Sequence, residues 1–294
     1  MAHGLGSRPM TSLLLATFDL MPDGESGGSG LVAALAARGV PARWASWSDP
    51  AVDWAAADLV AVRSTWDYHR RLPDFLAWAR EVEGATSLLN GAEVFAWNAD
   101  KAYLVELADA VPTVPTALLD DADLAGGLAK ALDRWGSVVV KPRTGAGGVG
   151  VVVAERMSDP RLEGLVAGPW IVQPVVESVR TSGESSVYVF DGVAVAQVDK
   201  RAAAGEVRVH ELYGGRSDVV PLDPERADVA VAAVRSAAAG RGADLAYARV
   251  DLMAWDGAWV VSELELIEPG LYLDVAPGVA EPFADLVAGR LGVS

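Results

Sequence analysis

The sequence predicts an α/β protein that becomes α+β in its C-terminal half, and three features carry that prediction. Between residues 12 and 97, apolar strand-like runs alternate with helix-like runs, the pattern of a parallel sheet covered by helices. From Ser137 onward the runs come as pairs joined by glycine-rich or Asp-Gly turns, which reads as antiparallel hairpins. The composition is globular, 51% hydrophobic and 22% charged over 294 residues, enough for a large core in two or three domains. No apolar run approaches the roughly 18 residues of a membrane span.

The first unit covers residues 12–97. Ser12 to Phe18 reads as a buried strand, Asp19 to Gly30 as a loop, and Leu31 to Arg38 as a helix closed by Gly39. Ala42 to Trp47 and Leu59 to Arg63 are further strands, and Pro73 to Glu83 sets Phe75, Leu76, Trp78 and Ala79 at helical spacing. Ligands of a parallel sheet sit at the C-terminal ends of its strands, which singles out the Asp19–Gly30 and Arg63–Tyr68 loops. The second offers Arg63, Ser64, Thr65 and Asp67 to an amino-acid-like substrate; the same residues can instead cap a helix and pack Trp66. Met1 to Pro9 is short and polar, Met10 is an alternative start, and Leu13–Phe18 is too brief for a signal peptide. Cysteine is absent, which excludes disulfides, thiolate metal sites and a cysteine nucleophile and is compatible with a cytoplasmic protein.

The second unit covers residues 98–172. Asn98 or Asp100 can cap a helix over Ala102–Ala108. Lys101 then falls in its first turn, where the helix dipole disfavours a cation, so an anion is expected nearby. Lysine is itself unusual here: there are four, Lys101, Lys130, Lys141 and Lys200, against twenty arginines. Val111 to Thr116, with two prolines, reads as an extended crossing between units. Ser137 to Ala154 reads strand, glycine-rich turn, strand, with Lys141 ending the first strand. Gly145, Gly147, Gly148 and Gly150 lie in the turn. Gly145-x-Gly147-x-x-Gly150 matches a dinucleotide fingerprint in letters but runs into Val151-Val-Val, a strand, where the fingerprint requires a helix. A mobile hairpin tip of this kind can fold its N–H groups over phosphate oxygens; such tips also occur with no ligand.

The third unit covers residues 173–294. Trp170 to Glu177 is a strand entering a turn, able to offer its backbone to a planar base. Gly183–Phe190, an Asp191-Gly192 turn and Val193–Asp199 form an antiparallel pair ending at Lys200-Arg201. Glu206 to His210 alternates as an edge strand, Tyr213–Arg216 is a loop candidate for substrate contact, and Asp223–Arg241 and residues 277–292 are helices. Tyr247–Met253 and Val260–Ile267 flank a second Asp-Gly turn. Glu263 and Glu265 point to one face of their strand; Asp251 joins them only if the connection is odd in length or bulged. Three crowded carboxylates need a cation, and hard oxygen ligands suit Mg²⁺; a solvated acidic edge is the competing reading.

Taken in order, these segments resemble the ATP-grasp superfamily of ligases over nearly the whole chain. A Rossmann-like pre-grasp domain is followed by a Val-Lys-Pro strand with its glycine-rich loop, a basic antiparallel sheet and a Val-Asp … Glu-x-Glu hairpin. The nearest sets are the RimK and glutathione synthetase branch and the cyclo-ligases that close O-ureido-serine to cycloserine. The resemblance implies ATP and Mg²⁺, with two ions, as cofactors. Lys101, Lys141, Thr144, Gly145, Gly147, Gly148 and Val149 would contact phosphates, Gln173, Val175 and Val176 adenine, and Glu184 the ribose. Asp251, Glu263 and Glu265 would hold the metal, and Arg208, with Lys200 and Arg249, would face the reacting groups. Many members carry Asn where this chain has Glu265. The implied reaction is carboxylate activation as an acyl-phosphate followed by attack of an amine, within one molecule or between two, by a protein that is often a homodimer.

The net charge of −16 argues against nucleic acid as a partner, and a small amino-acid-like molecule is the expected one. The rival readings are a non-catalytic nucleotide-binding regulator of the same fold and an NAD-dependent oxidoreductase. The strand after Gly150 disfavours the second.

Overall fold

The computed structural model describes residues 12–165 and 168–293, so the expectation about Met1–Met10 lies outside the described residues. The first unit alternates β1 (Leu13–Thr17), α1 (Gly28–Ala37), β2 (Ala42–Ser46), β3 (Leu59–Ser64), α2 (Leu72–Ala85) and β4 (Ser87–Leu88). The four strands are parallel in the order β2-β1-β3-β4. β1 and β3 are buried along their whole length, which explains why they read as unbroken apolar runs. α2 buries Phe75, Trp78, Ala79 and Val82, one helical face, against that sheet.

Two short helices, α3 (Ala92–Asn98) and α4 (Tyr103–Leu107), carry the chain away from this sheet. The sequence pattern points to α4 but not to α3. Two asparagines bind this crossing to the C-terminal hairpin. Asn90, at φ 65, donates to the carbonyls of Tyr247 and Leu266, both at 2.8 Å, and accepts from the N–H of Ala246 at 2.8 Å. Asn98 donates to Leu264 O and accepts from Leu266 N, both at 2.8 Å. Asn90→Ala would strand those buried backbone groups, so we expect it to lower unfolding free energy by about 1–3 kcal/mol in urea titrations.

The central sheet comprises β5 (Ala117–Leu119), β6 (Val138–Pro142), β7 (Val152–Ala154) and β8 (Trp170–Pro174), ordered β5-β8-β6-β7 and antiparallel. β8 runs through the expected 172/173 boundary and belongs wholly to this sheet. It is covered by α5 (Leu124–Trp135), another helix not expected from the sequence, whose N-terminus is capped by Asp123 accepting from Gly126 N at 3.0 Å.

After the single turn α6 (Ser178–Thr181) comes a five-stranded antiparallel sheet of β9 (Glu184–Phe190), β10 (Val193–Arg201), β11 (Arg216–Val220), β12 (Tyr247–Trp255) and β13 (Ala258–Glu265), ordered β11-β10-β9-β12-β13. The edge beside β10 is taken by Arg216–Val220, not by Glu206–His210 as the alternation suggested. The Glu206 carboxylate accepts from the N–H groups of Val207 and Arg208, which turns that stretch away from strand pairing. The Pro112–Val114 crossing instead extends the sheet at β13, through Val114 N→Val261 O and Val261 N→Pro112 O, both 2.9 Å.

α7 (Pro224–Arg241) packs Ala230, Ala233, Val234 and Ala237 on this sheet. α8 (Ala280–Leu291) packs against α1 and shares one apolar cluster with Leu13, Leu31, Phe190 and Tyr247. The first and third units therefore share a core, and the cavity between the sheets has fixed walls on those sides.

Candidate active site

The β12–β13 turn is Asp256-Gly257, with φ of 49 and 81, a two-residue loop. An even loop alone would place Asp251 on the opposite face from Glu263. The register shifts at that point, however: Asp251 pairs with Glu263 while Leu252 pairs with Val261, leaving Ser262 as an extra residue. This bulge brings one carboxylate oxygen each from Asp251, Glu263 and Glu265 within 4.8 Å of one another. The Ser262 hydroxyl lies 3.0 Å from Asp251 O and 3.2 Å from Glu184 Oε2, tying the bulge to β9.

Cations surround this cluster. Arg249 grips Asp251 through two bonds, Nε to Oδ1 and Nη2 to Oδ2, both 2.9 Å, and also pairs with Glu265. Lys200 Nζ is 2.6 Å from Glu184 Oε1 and 3.1 Å from Asp251 Oδ2. Burial opposes ionisation of Asp251, but Arg249 and then Lys200 overcome it and hold the carboxyl well below its usual range. Burial likewise works against Glu263, and the charges of Lys101 and Lys141 outweigh it and lower its pKa. Glu265 goes the other way: burial, reinforced by Asp251 and Glu263, prevails over Arg249 and pushes it to about 7.

The helix begins later than expected, at Tyr103 with Ala102 as its N-cap, so Lys101 lies before it and not in its first turn. The anionic partner of Lys101 is Glu263, whose Oε1 is 2.9 Å from Nζ. Lys101 Nζ also donates to Gly145 O at 2.8 Å, and its N–H to Arg143 O at 2.8 Å, so it links the carboxylate hairpin to the glycine-rich turn. Asp100 does not cap the helix, whose N-cap is Ala102 with no side-chain cap bond; it accepts from Ala102 N at 2.9 Å and pairs with Arg143. Lys141 lines the same cavity with its pKa lowered by burial. Among the described residues it has no ion pair, so a charge entering the cavity would find it uncommitted.

The glycine-rich turn runs Gly145–Gly150 with positive φ at Gly147, Gly148 and Gly150. A Cβ on Gly148 would lie 3.3 Å from the Tyr213 ring and 3.4 Å from Arg208, so a side chain there would crowd the Arg208–Tyr213 stack. In that stack the guanidinium sits 3.6 Å over the ring and 2.5 Å from Glu206. Gly145, Gly147, Gly148 and Val149 line the cavity; Thr144 does not. Gln173, Val175, Val176 and Glu184 line its inner end, with Gln173 held by Thr116 Oγ1 at 2.9 Å.

The Arg63–Asp67 expectation is corrected. Arg63, Ser64 and Thr65 are wholly buried and none of them, nor Asp67, lines the cavity. Arg63 lies between the rings of Tyr247 and Phe283, Ser64 bonds Thr17 Oγ1 at 3.0 Å, and Asp67 is taken by Trp47 Nε1 at 2.8 Å. Of that loop, Tyr68 reaches the cavity. Two residues not expected from the sequence also line it, Glu268 and Tyr272, both in the segment after β13. Their signal was proximity to the Glu-x-Glu pair, since Glu268 lies three residues beyond Glu265.

Comparison with known proteins agrees with this geometry. Residues 13–90 match the model for the D-cycloserine synthetase DcsG N-terminal domain, and residues 101–272 match the RimK-like ATP-grasp domain. The chain is 34% identical over 280 residues to the cycloserine biosynthesis protein DcsG of Streptomyces lavendulae, covering 89% of this chain and 92% of that protein. It is 29% identical over 178 residues to a probable alpha-L-glutamate ligase of Shewanella denitrificans, covering 57% of this chain and 55% of that one. The crystal structure of D-cycloserine synthetase DcsG superposes with a TM-score of 0.84 at 31% identity, over 95% of this chain and 99% of that one. A matched domain model over more than half its length, carried on a fold with this carboxylate hairpin and glycine-rich turn, places the chain in the RimK-like ATP-grasp family, as an ATP-dependent ligase.

Proposed function

We propose that this ligase activates the carboxylate of a small amino acid as an acyl-phosphate and then closes a carbon–nitrogen bond, within one molecule, as in the closure of O-ureido-serine to cycloserine. The observation that carries the reading is the charge arrangement of the cavity. Five acids line it (Glu184, Asp251, Glu263, Glu265, Glu268) and five cations (Lys101, Lys141, Lys200, Arg208, Arg249), equal numbers of the two signs. Glu265 and Glu268 are held above the usual carboxylate range, so the lining carries no excess of negative charge. ATP alone would add four negative charges; ATP with two Mg²⁺ adds none, which suits a site of balanced charge. The oxygen-only cluster of Asp251, Glu263 and Glu265 fits such ions. Mg²⁺ there would neutralise charge developing on the phosphates.

The chain's own groups would do the rest by positioning. Lys101 and Lys141, with the N–H groups of Gly145–Val149, would hold the phosphates, and Glu184 the ribose. Arg208, brought by its Tyr213 stack against the glycine turn, would face the transferring phosphoryl group, with Lys200 and Arg249 behind it. A substrate carboxylate oxygen attacks the γ-phosphorus and the bridging P–O bond breaks, releasing ADP. A nitrogen then attacks the carbonyl carbon and gives up its proton, and phosphate leaves with the C–O electron pair. With O-ureido-serine the carbamoyl group on that nitrogen is then released by water as carbon dioxide and ammonia, which completes cycloserine. The likeness to DcsG supports the intramolecular form. A coupled ADP-release screen over amino acids, O-ureido-serine included, tests it: release should require a substrate carboxylate, and ADP release indifferent to every amino acid would refute it.

Glu265 sets a pH dependence. With its carboxyl near 7, Mg²⁺ has to displace a proton there, so apparent Mg²⁺ affinity should rise between pH 6 and 8 as that proton is lost. Glu265→Asn removes the proton and should flatten the profile, which Mg²⁺ titrations of ADP release at several pH values would show.

A further inference from the structure

Four of the five acids lining the cavity are already paired: Glu184 with Lys200, Asp251 with Arg249 and Lys200, Glu263 with Lys101, and Glu265 with Arg249. Glu268 differs. It is 8% exposed, lines the cavity, and among the described residues its carboxyl has neither an ion pair nor a hydrogen bond. Nor does it belong to the three-carboxylate cluster suited to metal. A buried carboxyl with no partner either keeps its proton or meets a cation, and its opening to a ligand cavity points to a cation supplied from outside.

The surroundings specify that cation. Tyr68 also lines the cavity, and its hydroxyl has no hydrogen-bond partner among the described residues. Both residues face the same cavity, and burial, and next the charge of Glu268, push the Tyr68 phenol well up. A carboxylate and a phenolic oxygen are both acceptors, and a primary ammonium carries three donors. The segment that holds Glu268 is fixed by side chains from other elements. Trp66 Nε1 donates to Glu268 O at 3.2 Å, Arg63 to Pro269 O, Tyr188 Oη to Gly270 O at 3.0 Å, and Leu271 N to Glu25 Oε2 at 2.7 Å. A carboxyl left unpaired on backbone fixed in this way is placed for a ligand. Burial first, and then the neighbouring Glu265, raise the Glu268 carboxyl well above its usual range, so an arriving ammonium would also favour its ionisation.

We propose that Glu268, assisted by the Tyr68 hydroxyl, is the specificity residue that receives the α-ammonium of the substrate, so that the ligase selects free amino acids over their deaminated or N-acylated counterparts. This rests on the ligase reading above.

The test compares wild type, Glu268→Gln and Tyr68→Phe on O-ureido-serine and on 3-(ureidooxy)propanoate, which lacks the amino group. Steady-state ADP release is measured alongside calorimetric binding to the Mg²⁺-loaded protein with a non-hydrolysable ATP analogue. Glu268→Gln should raise KM and Kd for the amino acid about 10- to 100-fold, the worth of a charge-assisted hydrogen bond. It should leave KM for ATP and the Mg²⁺ requirement unchanged and abolish discrimination against the deaminated analogue. Tyr68→Phe should act in the same direction and less strongly. Equal losses on both analogues, a shifted ATP or Mg²⁺ requirement, or unchanged discrimination would overturn the proposal. If wild type binds the amino acid in a Glu268-dependent way but releases no ADP, the ligation reading fails while this one stands. If wild type binds neither ligand, this one fails.

Discussion

Glu263→Gln should reduce kcat/KM for ADP release by about 10³-fold, roughly 4 kcal/mol of transition-state stabilisation, while leaving the fold intact. Its side chain is 31% exposed and its ion pair is the single one to Lys101, whose Nζ keeps the Gly145 carbonyl when the charge is gone. The stability cost should therefore stay near 1 kcal/mol or below. Asp251→Asn should lose as much activity and behave differently in denaturant. Asp251 is the hub of a buried network, holding Arg249 by two bonds, Lys200 by one, and Ser186 Oγ at 2.5 Å. Removing its charge leaves two buried cations competing for Glu184 and Glu265, at about 3–5 kcal/mol. Activity measured beside urea midpoints separates the two roles. A Glu263→Gln protein with normal turnover and normal Mg²⁺ dependence would disprove the metal assignment.

That contrast shows where the letters were sufficient. The Glu-x-Glu pair, the Asp-Gly turn and the glycine-rich hairpin were legible because strand periodicity and turn chemistry are local properties. The sequence left the facing of Asp251 open between an odd loop and a bulge, and the structure uses the bulge at Ser262. Glu206–His210 alternates as well as a true strand does, but Glu206 turns back onto the backbone N–H groups that follow it, and period alone does not show that. The helix Ala92–Asn98 was not legible, being held largely by tertiary bonds from its last residue. The Arg63–Tyr68 loop does lie at a strand end, yet which side chains turn inward depends on the opposite wall of the core. The same limit hid Glu268: nothing in the spacing says that it alone among the cavity acids lacks a partner.

Arg63→Met should cost about 3–5 kcal/mol of unfolding free energy, although the residue touches no cavity. Its guanidinium carbon lies 5.2 Å from the Tyr247 ring centroid and 4.9 Å from that of Phe283, Nη2 is 3.7 Å from Glu25 Oε1, and the same nitrogen donates to Pro269 O. Removing it leaves Glu25 buried with the Leu271 N–H but without its ion-pair partner, the charge of Arg249 acting on it more weakly. Burial already raises the Glu25 carboxyl, and the positive charge of Arg63 does most to oppose that rise. Without Arg63 the folded protein would prefer protonated Glu25 more strongly. A carboxyl whose folded pKa exceeds its unfolded value, about 4.3, imposes no ionisation penalty below that value and an increasing one as pH rises. The deficit of Arg63→Met relative to wild type should therefore stay level until pH passes the folded pKa of Glu25 in wild type, already raised above the usual carboxylate range, and widen from there towards neutrality. Adding Glu25→Gln should recover part of it and remove the pH dependence, a non-additivity expected of groups in one network. Because Arg63 and Glu25 fix the backbone on either side of Gly270, the double variant should fold yet bind amino acid less tightly than wild type, while ATP binding is retained. Identical deficits at pH 5 and pH 8 would show that Arg63 acts through packing against the two rings and not through its charge.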